Sequence, residues 1–308
     1  MPLNTKYRIN LLVSAKALFF LLRESFITLK KAEPLRMAAA TAFFTTFAVT
    51  PILIIIIQLL GLFIAPDRVR TALIERLIGV VGTKSARQIQ EILNNIIGLA
   101  GNWYVTLIGF IFLMFVATTL FQVIEDSLDD IWQIRIKKDA GFGYKLRRRF
   151  RSLLIIGLAG ILFILGLLTE WMQGFLGNYI DYLMPQASWL LNYILNEVIF
   201  VIIVAVWFTC IFKYLTDGRP SWRVAVAGGF LTTVLFTFGK IVVNWGLSRS
   251  NISTVYGTSG SIIIIQLFVF YSALIFYFGG SFIKVLSDYW NEPIRAVRGA
   301  SHYEILEV

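Results

Sequence analysis

Residues 38–65 read AAATAFFTTFAVTPILIIIIQLLGLFIA, 28 positions without a charge between Arg36 and Asp67. A bilayer core is about 30 Å thick, and about 20 apolar residues of helix cross it. A helix of this length runs roughly 42 Å, more than one crossing needs, so it tilts, kinks or protrudes. Pro51, near the middle, removes a backbone hydrogen bond and offers the kink. Five more stretches repeat the pattern, near 103–124, 152–169, 190–212, 224–247 and 261–283. Such recurrence sets aside a buried helix of a soluble protein and predicts an all-α, polytopic membrane protein with six crossings.

The composition agrees: 57% of the 308 residues are apolar and only 15% charged. A single cysteine, Cys210, and a single histidine, His302, leave no disulfide framework, thiolate site or imidazole dyad within one chain. No nucleotide-binding loop is present, and the pattern implies no cofactor, no metal and no catalytic residue. Polarity follows from the basic residues. Segments 1–37, 125–151, 213–223 and 284–308 hold 21 of the 28 Lys and Arg, against 6 in the alternate segments. Both termini are therefore expected in the cytoplasm, with the chain in a bacterial inner membrane. The net charge of +10 is thus a topology signal, and nucleic acid is not an expected partner.

Residues 1–36 are expected to form an amphipathic helix at the cytoplasmic interface, ended near Pro34, with Lys16, Arg23 and Lys30 on one face. Residues 37–290 form the membrane domain and 291–308 a cytoplasmic tail. The first outer loop, 66–102, is divided by Gly79 and Gly82, and Ser85 with Gln88 has capping-box spacing. A helical hairpin is expected there, lying on the outer leaflet or capping the bundle, and no strand pattern is visible anywhere. The tryptophans add an interfacial belt, with Trp132, Trp222 and Trp290 at inner ends.

Polar groups inside the spans mark a candidate transport path: Thr45, Pro51, Gln58, Glu197, Lys240, Tyr256, Gly257 and Gln266. Most single threonines simply bond their own backbone carbonyls, but an amide facing lipid lacks partners, which singles out Gln58 and Gln266. Glu197 and Lys240 fall at matching depth on the fourth and fifth spans and are expected to pair, or else to reach the interface separately. Pro51 and the glycines from 257 to 260 are where helices break most easily. Lys145, Arg147, Arg148, Arg149 and Arg151 precede the third span and are candidate contacts for anionic phospholipid headgroups. The acids of the same loop, Glu125, Asp126, Asp129, Asp130 and Asp139, are expected to balance Arg135, Lys137 and Lys138 beside them.

Three stretches together resemble the YihY/BrkB family of bacterial inner-membrane proteins, once labelled ribonuclease BN. They are Ala38 to Phe44 followed by Pro51, Leu128 to Trp132, and Tyr256-Gly257 with Gly260, Tyr271 to Ile275 and Gly279. Phe43-Phe44 stands where the family has a tyrosine pair, Asp129 where it has asparagine, and Gly279-Gly280-Ser281 where it continues Gly-Ala-Glu. The resemblance implies a candidate transporter or envelope-maintenance protein, tied in some members to virulence and in some to lipid transport. Membrane lipids are its implied partners; a homo-oligomer and a periplasmic-side partner are compatible with it. The alternative function is a non-transporting envelope scaffold or partner-docking protein. Ribonuclease activity needs a positioned acid and base or a metal, and the acidic loop supplies neither convincingly, so the chain is not expected to be an enzyme.

Overall fold

A computed structural model describes residues 15–62, 65–98, 103–136, 142–183, 188–249, 260–297 and 299–303. Nine helices appear among them: α1 (Ala15–Lys31), α2 (Pro34–Gly61), α3 (Pro66–Val81), α4 (Thr83–Gly98), α5 (Trp103–Ile131), α6 (Phe142–Leu183), α7 (Ser188–Cys210), α8 (Trp222–Arg249) and α9 (Gly260–Tyr289). Helices α2, α6, α7, α8 and α9 are long and apolar enough to cross a membrane. The expected second crossing, 103–124, lies on α5, a helix of 29 residues. Large side chains such as Phe47, Phe112, Phe230 and Phe238 stand exposed on these helices. In water that surface would be a liability; in lipid it is the solvated face.

Helices α2 and α9 make the middle of the bundle. Helix α2 packs on α5 and α9, α9 also on α8 and α1, and α7 joins α8 to α6. Thr41 on α2 and Tyr277 on α9 share a buried hydrogen bond of 2.5 Å. Pro51 is buried inside α2, and the helix continues through it from Pro34 to Gly61. Helix α1 stops three residues before Pro34, where Glu33 takes φ 55° and turns the chain into α2. Leu21 and Leu29 of α1 are buried, while Lys16, Arg23 and Lys30 are exposed together with Phe19 and Phe26. The helix therefore has a packed face as well as exposed basic residues.

The expected hairpin is α3 and α4, joined at Gly82, whose φ of 82° only glycine adopts without strain. Ile89 and Leu93 are buried and the hairpin packs on α2 and α9, so it caps the bundle. Ser85 lies inside α4, two residues past its start at Thr83, and is not the cap its spacing suggested.

Strands are present, contrary to expectation. β1 (Ile134–Ile136) pairs antiparallel with β4 (Ala300–His302), and β2 (Gly218–Arg219) with β3 (Arg295–Ala296). Residues 295–296 and 300–302 are thus paired with the segments that follow α7 and α5. Runs of two or three residues are too short to show alternation, and their partners lie far away in the chain. Trp132 is corrected too: it is 2% exposed and donates to the Gly280 carbonyl at 2.8 Å, tying the end of α5 to α9. Trp222 and Trp290, by contrast, are exposed.

Candidate functional site

At the end of the bundle marked by β1–β4, three helical elements bring ionisable side chains into the interior. Glu125 and Asp129 are one turn apart on α5, so they share a face. Arg148 and Arg151 are one turn apart near the start of α6. Asp217 follows a five-residue π-helical turn, Ile211–Leu215, that extends α7 and swings the chain inward. Glu125 and Asp217 are fully buried and Asp129 is 6% exposed. One carboxylate oxygen from each lies within 4.8 Å of the other two.

The two guanidiniums hold this cluster together. Arg151 Nη2 binds Glu125 Oε1 and reaches Asp217 Oδ1 at 2.7 Å, while its Nη1 donates to the Thr216 carbonyl at 3.1 Å. Arg148 Nε lies 3.1 Å from Glu125 Oε1, and its Nη2 is 2.6 Å from Oδ1 of the exposed Asp126. Asp129 gets no guanidinium; its Oδ1 accepts the Asp217 backbone N–H at 3.1 Å. Burial, then the charges of Asp217 and Glu125, push the Asp129 carboxyl up to about 9. Burial pushes Glu125 up to about 7 against the opposing pull of Arg148 and Arg151. Tyr144 is raised by burial and then by Asp217.

Gly218, next to Asp217, sits where a Cβ would press on Ile134 and Ile294 at under 3 Å, so only glycine lets this corner seat. The Val297 N–H donates to the Asp217 carbonyl at 2.9 Å, which adds the C-terminal segment to the support.

Two depressions flank α6 beside the cluster. A shallow groove of about 600 Å³ runs between α5 and α6, walled by Ile111, Met114, Phe115 and Leu153, with Arg147 and Arg149 lining it. Arg149 donates to Thr118 Oγ1 at 2.9 Å and lies 4.4 Å over the Phe115 ring. A second cavity of about 470 Å³ lies on the other side, with Tyr144, Arg219 and Tyr214 facing Leu154 and Leu158.

The placement of the expected residues is mixed. Arg148 and Arg151, at 11% and 15% side-chain exposure, are held by carboxylates and also line the second cavity. Of the acids, Glu125 and Asp126 pair with arginines of α6, whereas Asp130 does face Arg135, together with Arg36; Arg135 also lies 4.6 Å over the Tyr303 ring. Arg147 is exposed and Arg149 half-buried; the side chain of Lys145 lies outside the described residues, as do Lys137, Lys138 and Asp139. Glu197 and Lys240 come together at 3.9 Å, with Lys240 Nζ 4.3 Å over the Phe200 ring. Thr45 bonds its own helix at the Thr41 carbonyl, 2.7 Å away. Gln58 is exposed, Gln266 half-buried, and neither they nor Thr45 and Pro51 line either depression. Tyr256 and Gly257 lie outside the described residues.

Asp217 went unread. Its only signal is a lone acid in the short turn Thr216-Asp217-Gly218-Arg219-Pro220, against two arginines at helical spacing on the next inner loop.

Long apolar helices around a charged knot at one end define a multi-pass α-helical membrane protein. The Virulence factor BrkB family model matches residues 26–301, and the chain belongs to that family. It is similar to a "UPF0761 membrane protein" of Stenotrophomonas maltophilia (strain R551-3), 23% identical over 281 residues, covering 88% of this chain and 62% of that protein. A "UPF0761 membrane protein" of Pseudoalteromonas atlantica is 22% identical over 258 residues, covering 83% of this chain and 82% of its own. The chain thus spans less than two thirds of the Stenotrophomonas relative's length. No solved structure matches it.

Proposed function

We propose that this chain is an inner-membrane protein with six crossings and cytoplasmic termini that binds and moves an anionic lipid or similar amphiphile, in service of the envelope. The observation that carries this reading is the groove between α5 and α6. Its walls are apolar and its charged groups, Arg147 and Arg149, sit where α6 begins, just before the apolar run of that helix. Acyl chains and an acidic headgroup present the same division. A small hydrophilic solute would find almost no polar wall there.

Native mass spectrometry of the protein from mixed phosphatidylglycerol and phosphatidylethanolamine nanodiscs tests the binding step. A basic residue near an anionic surface is worth about 1 kcal/mol, so Arg147→Gln with Arg149→Gln should cut phosphatidylglycerol retention by about tenfold or more. Filling the groove with Met114→Trp should displace both lipids. Unchanged retention in both variants would remove the lipid reading. Binding without movement of labelled phosphatidylglycerol across proteoliposome leaflets would favour the scaffold.

A further inference from the structure

Among the described residues, the buried cluster holds one more acid than it has guanidiniums. Glu125, Asp129 and Asp217 bring three carboxylates; Arg148 and Arg151 bring two guanidiniums, which engage Glu125 and Asp217. Among the described residues, the other charges nearby are engaged elsewhere or exposed, and only Arg219 also faces Asp217 and Glu125, without an ion pair to either. On α5, Asp126 holds Arg148 from outside, and Asp130 is exposed. On α9, Lys284 donates to the Ile131 carbonyl, with Asp288 beside it. On β2, Arg219 bonds the Lys213 carbonyl and lies 5.8 Å over the Tyr214 ring. On α6, Tyr144 is a neutral phenol. Three carboxylates this close and this dry do not all ionise, because like charges in low dielectric repel too strongly.

A second feature points to what balances them. Glu125 Oε2 and Asp217 Oδ2 are buried acceptors with no hydrogen-bond donor; Arg148 Nε comes no nearer than 3.7 Å to Asp217 Oδ2, and the Tyr144 O–H is itself unpaired. A buried acceptor without a donor is costly. A proton bound to one carboxylate in their midst removes one negative charge and supplies an O–H donor. Arg151 already occupies the oxygens that a divalent cation would need on Glu125 and Asp217.

We propose that Glu125, Asp129 and Asp217 form a proton-binding site, in which Asp129 carries the proton and Arg148 and Arg151 are the counter-charges. Loss of that proton leaves a bare carboxylate on α5 next to two guanidiniums on α6. The guanidiniums then redistribute toward it, and α6 shifts against α5. The groove between these two helices changes shape with the proton, which makes the site a coupling point for whatever the groove holds. The site itself stands whether or not the groove binds lipid.

The folded-state value of Asp129 near 9 lies above its ordinary 3.8, so the folded protein holds the proton more tightly than the unfolded chain. Stability is fully present below about 4 and falls as pH rises toward 9. Two readouts without lipid test this. In ¹³C-aspartate-labelled wild type, infrared spectra at pH 7 should show a labelled carboxylic-acid band that disappears in titration centred near 9. Asp129→Asn should abolish the band and lessen the fall of Tm between pH 5 and about 9, leaving the part that Glu125, raised to about 7 by burial, contributes, whereas Asp130→Asn, on the exposed side, should leave both unchanged. Absence of the band in wild type at pH 7, or its survival in Asp129→Asn, would overturn the proposal. So would a Tm increase on adding sodium or magnesium at pH 7, which would make the site one for a metal ion. Should Asp129→Asn not fold, the wild-type titration beside Asp130→Asn still decides the matter.

Discussion

Arg151 spans two acids that would otherwise face each other in the dry end of the bundle. Glu125 and Asp217 are both fully buried, and both take a hydrogen bond from the same nitrogen. Removing one partner of a buried ion pair costs about 3–5 kcal/mol, because the remaining charge is left uncompensated. Arg151→Met should therefore lower the Tm of the purified protein by on the order of 10 °C. Arg151→Met with Asp217→Asn removes a charge of each sign and should recover a good part of the loss. Equal Tm values for the single and double variants would show that Asp217 is not held through Arg151. This scale was the least legible in the sequence. Glu125, Asp129, Arg148 and Arg151 were visible as charges, but their inward aim depends on where α5, α6 and the 216–219 corner meet. Arginines at the edge of a span read equally well as headgroup contacts, and only burial separates the two roles. The Glu197–Lys240 pair was legible for the opposite reason: two long helices joined by a short turn fix depth from chain length alone.

Helices α8 and α9 approach closely because glycine lines their contact. A Cβ on Gly279 would meet Thr232 Oγ1, and one on Gly228 would meet Ile283. Small residues let helices in a membrane pack where no hydrophobic drive exists between them. Thr232 closes the contact by turning its hydroxyl back to the Gly228 carbonyl at 2.7 Å. Gly279→Val should force the pair apart, at an overpacking cost of about 1–3 kcal/mol, with reduced folded yield in detergent. A methyl added at Gly157 on α6 would meet nothing within 4 Å, so Gly157→Ala is the neutral comparison. Matching yield and Tm in the two variants would show that the α8–α9 contact tolerates bulk. At this scale the sequence was largely readable. Uninterrupted apolar length gives the long helices, and Gly82 with periodic isoleucines gives the α3–α4 hairpin. The small sheets were not readable, because pairing of 134–136 with 300–302 is a property of the assembled inner end and of no local pattern. Asn291 and Gln133 end α9 and α5 with φ near 55°, a turn usually left to glycine and therefore without a sequence mark.

The whole molecule has two unlike ends, and their difference sets its orientation. One end carries the carboxylate–arginine cluster, the basic start of α6 and both small sheets; the chain leaves α2 at the other end for the α3–α4 hairpin. Because α2 spans 28 residues, roughly 42 Å, these ends lie on opposite sides of a bilayer core of about 30 Å. The excess of Lys and Arg belongs to the cluster end, and the orientation proposed above puts that end on the cytoplasmic side. Single cysteines in a Cys210→Ser background test this with an impermeant thiol reagent on intact spheroplasts. Arg87→Cys on exposed α4 should label. Lys30→Cys on α1 and Ser301→Cys on β4, both exposed, should label only after the membrane is opened. The opposite result at all three positions would invert the chain. Labelling at Ser301→Cys but not at Lys30→Cys would mean an odd number of crossings, and α5 would then be the helix that stays on one side. That outcome would also take the groove between α5 and α6 out of the bilayer, and the lipid reading would go with it.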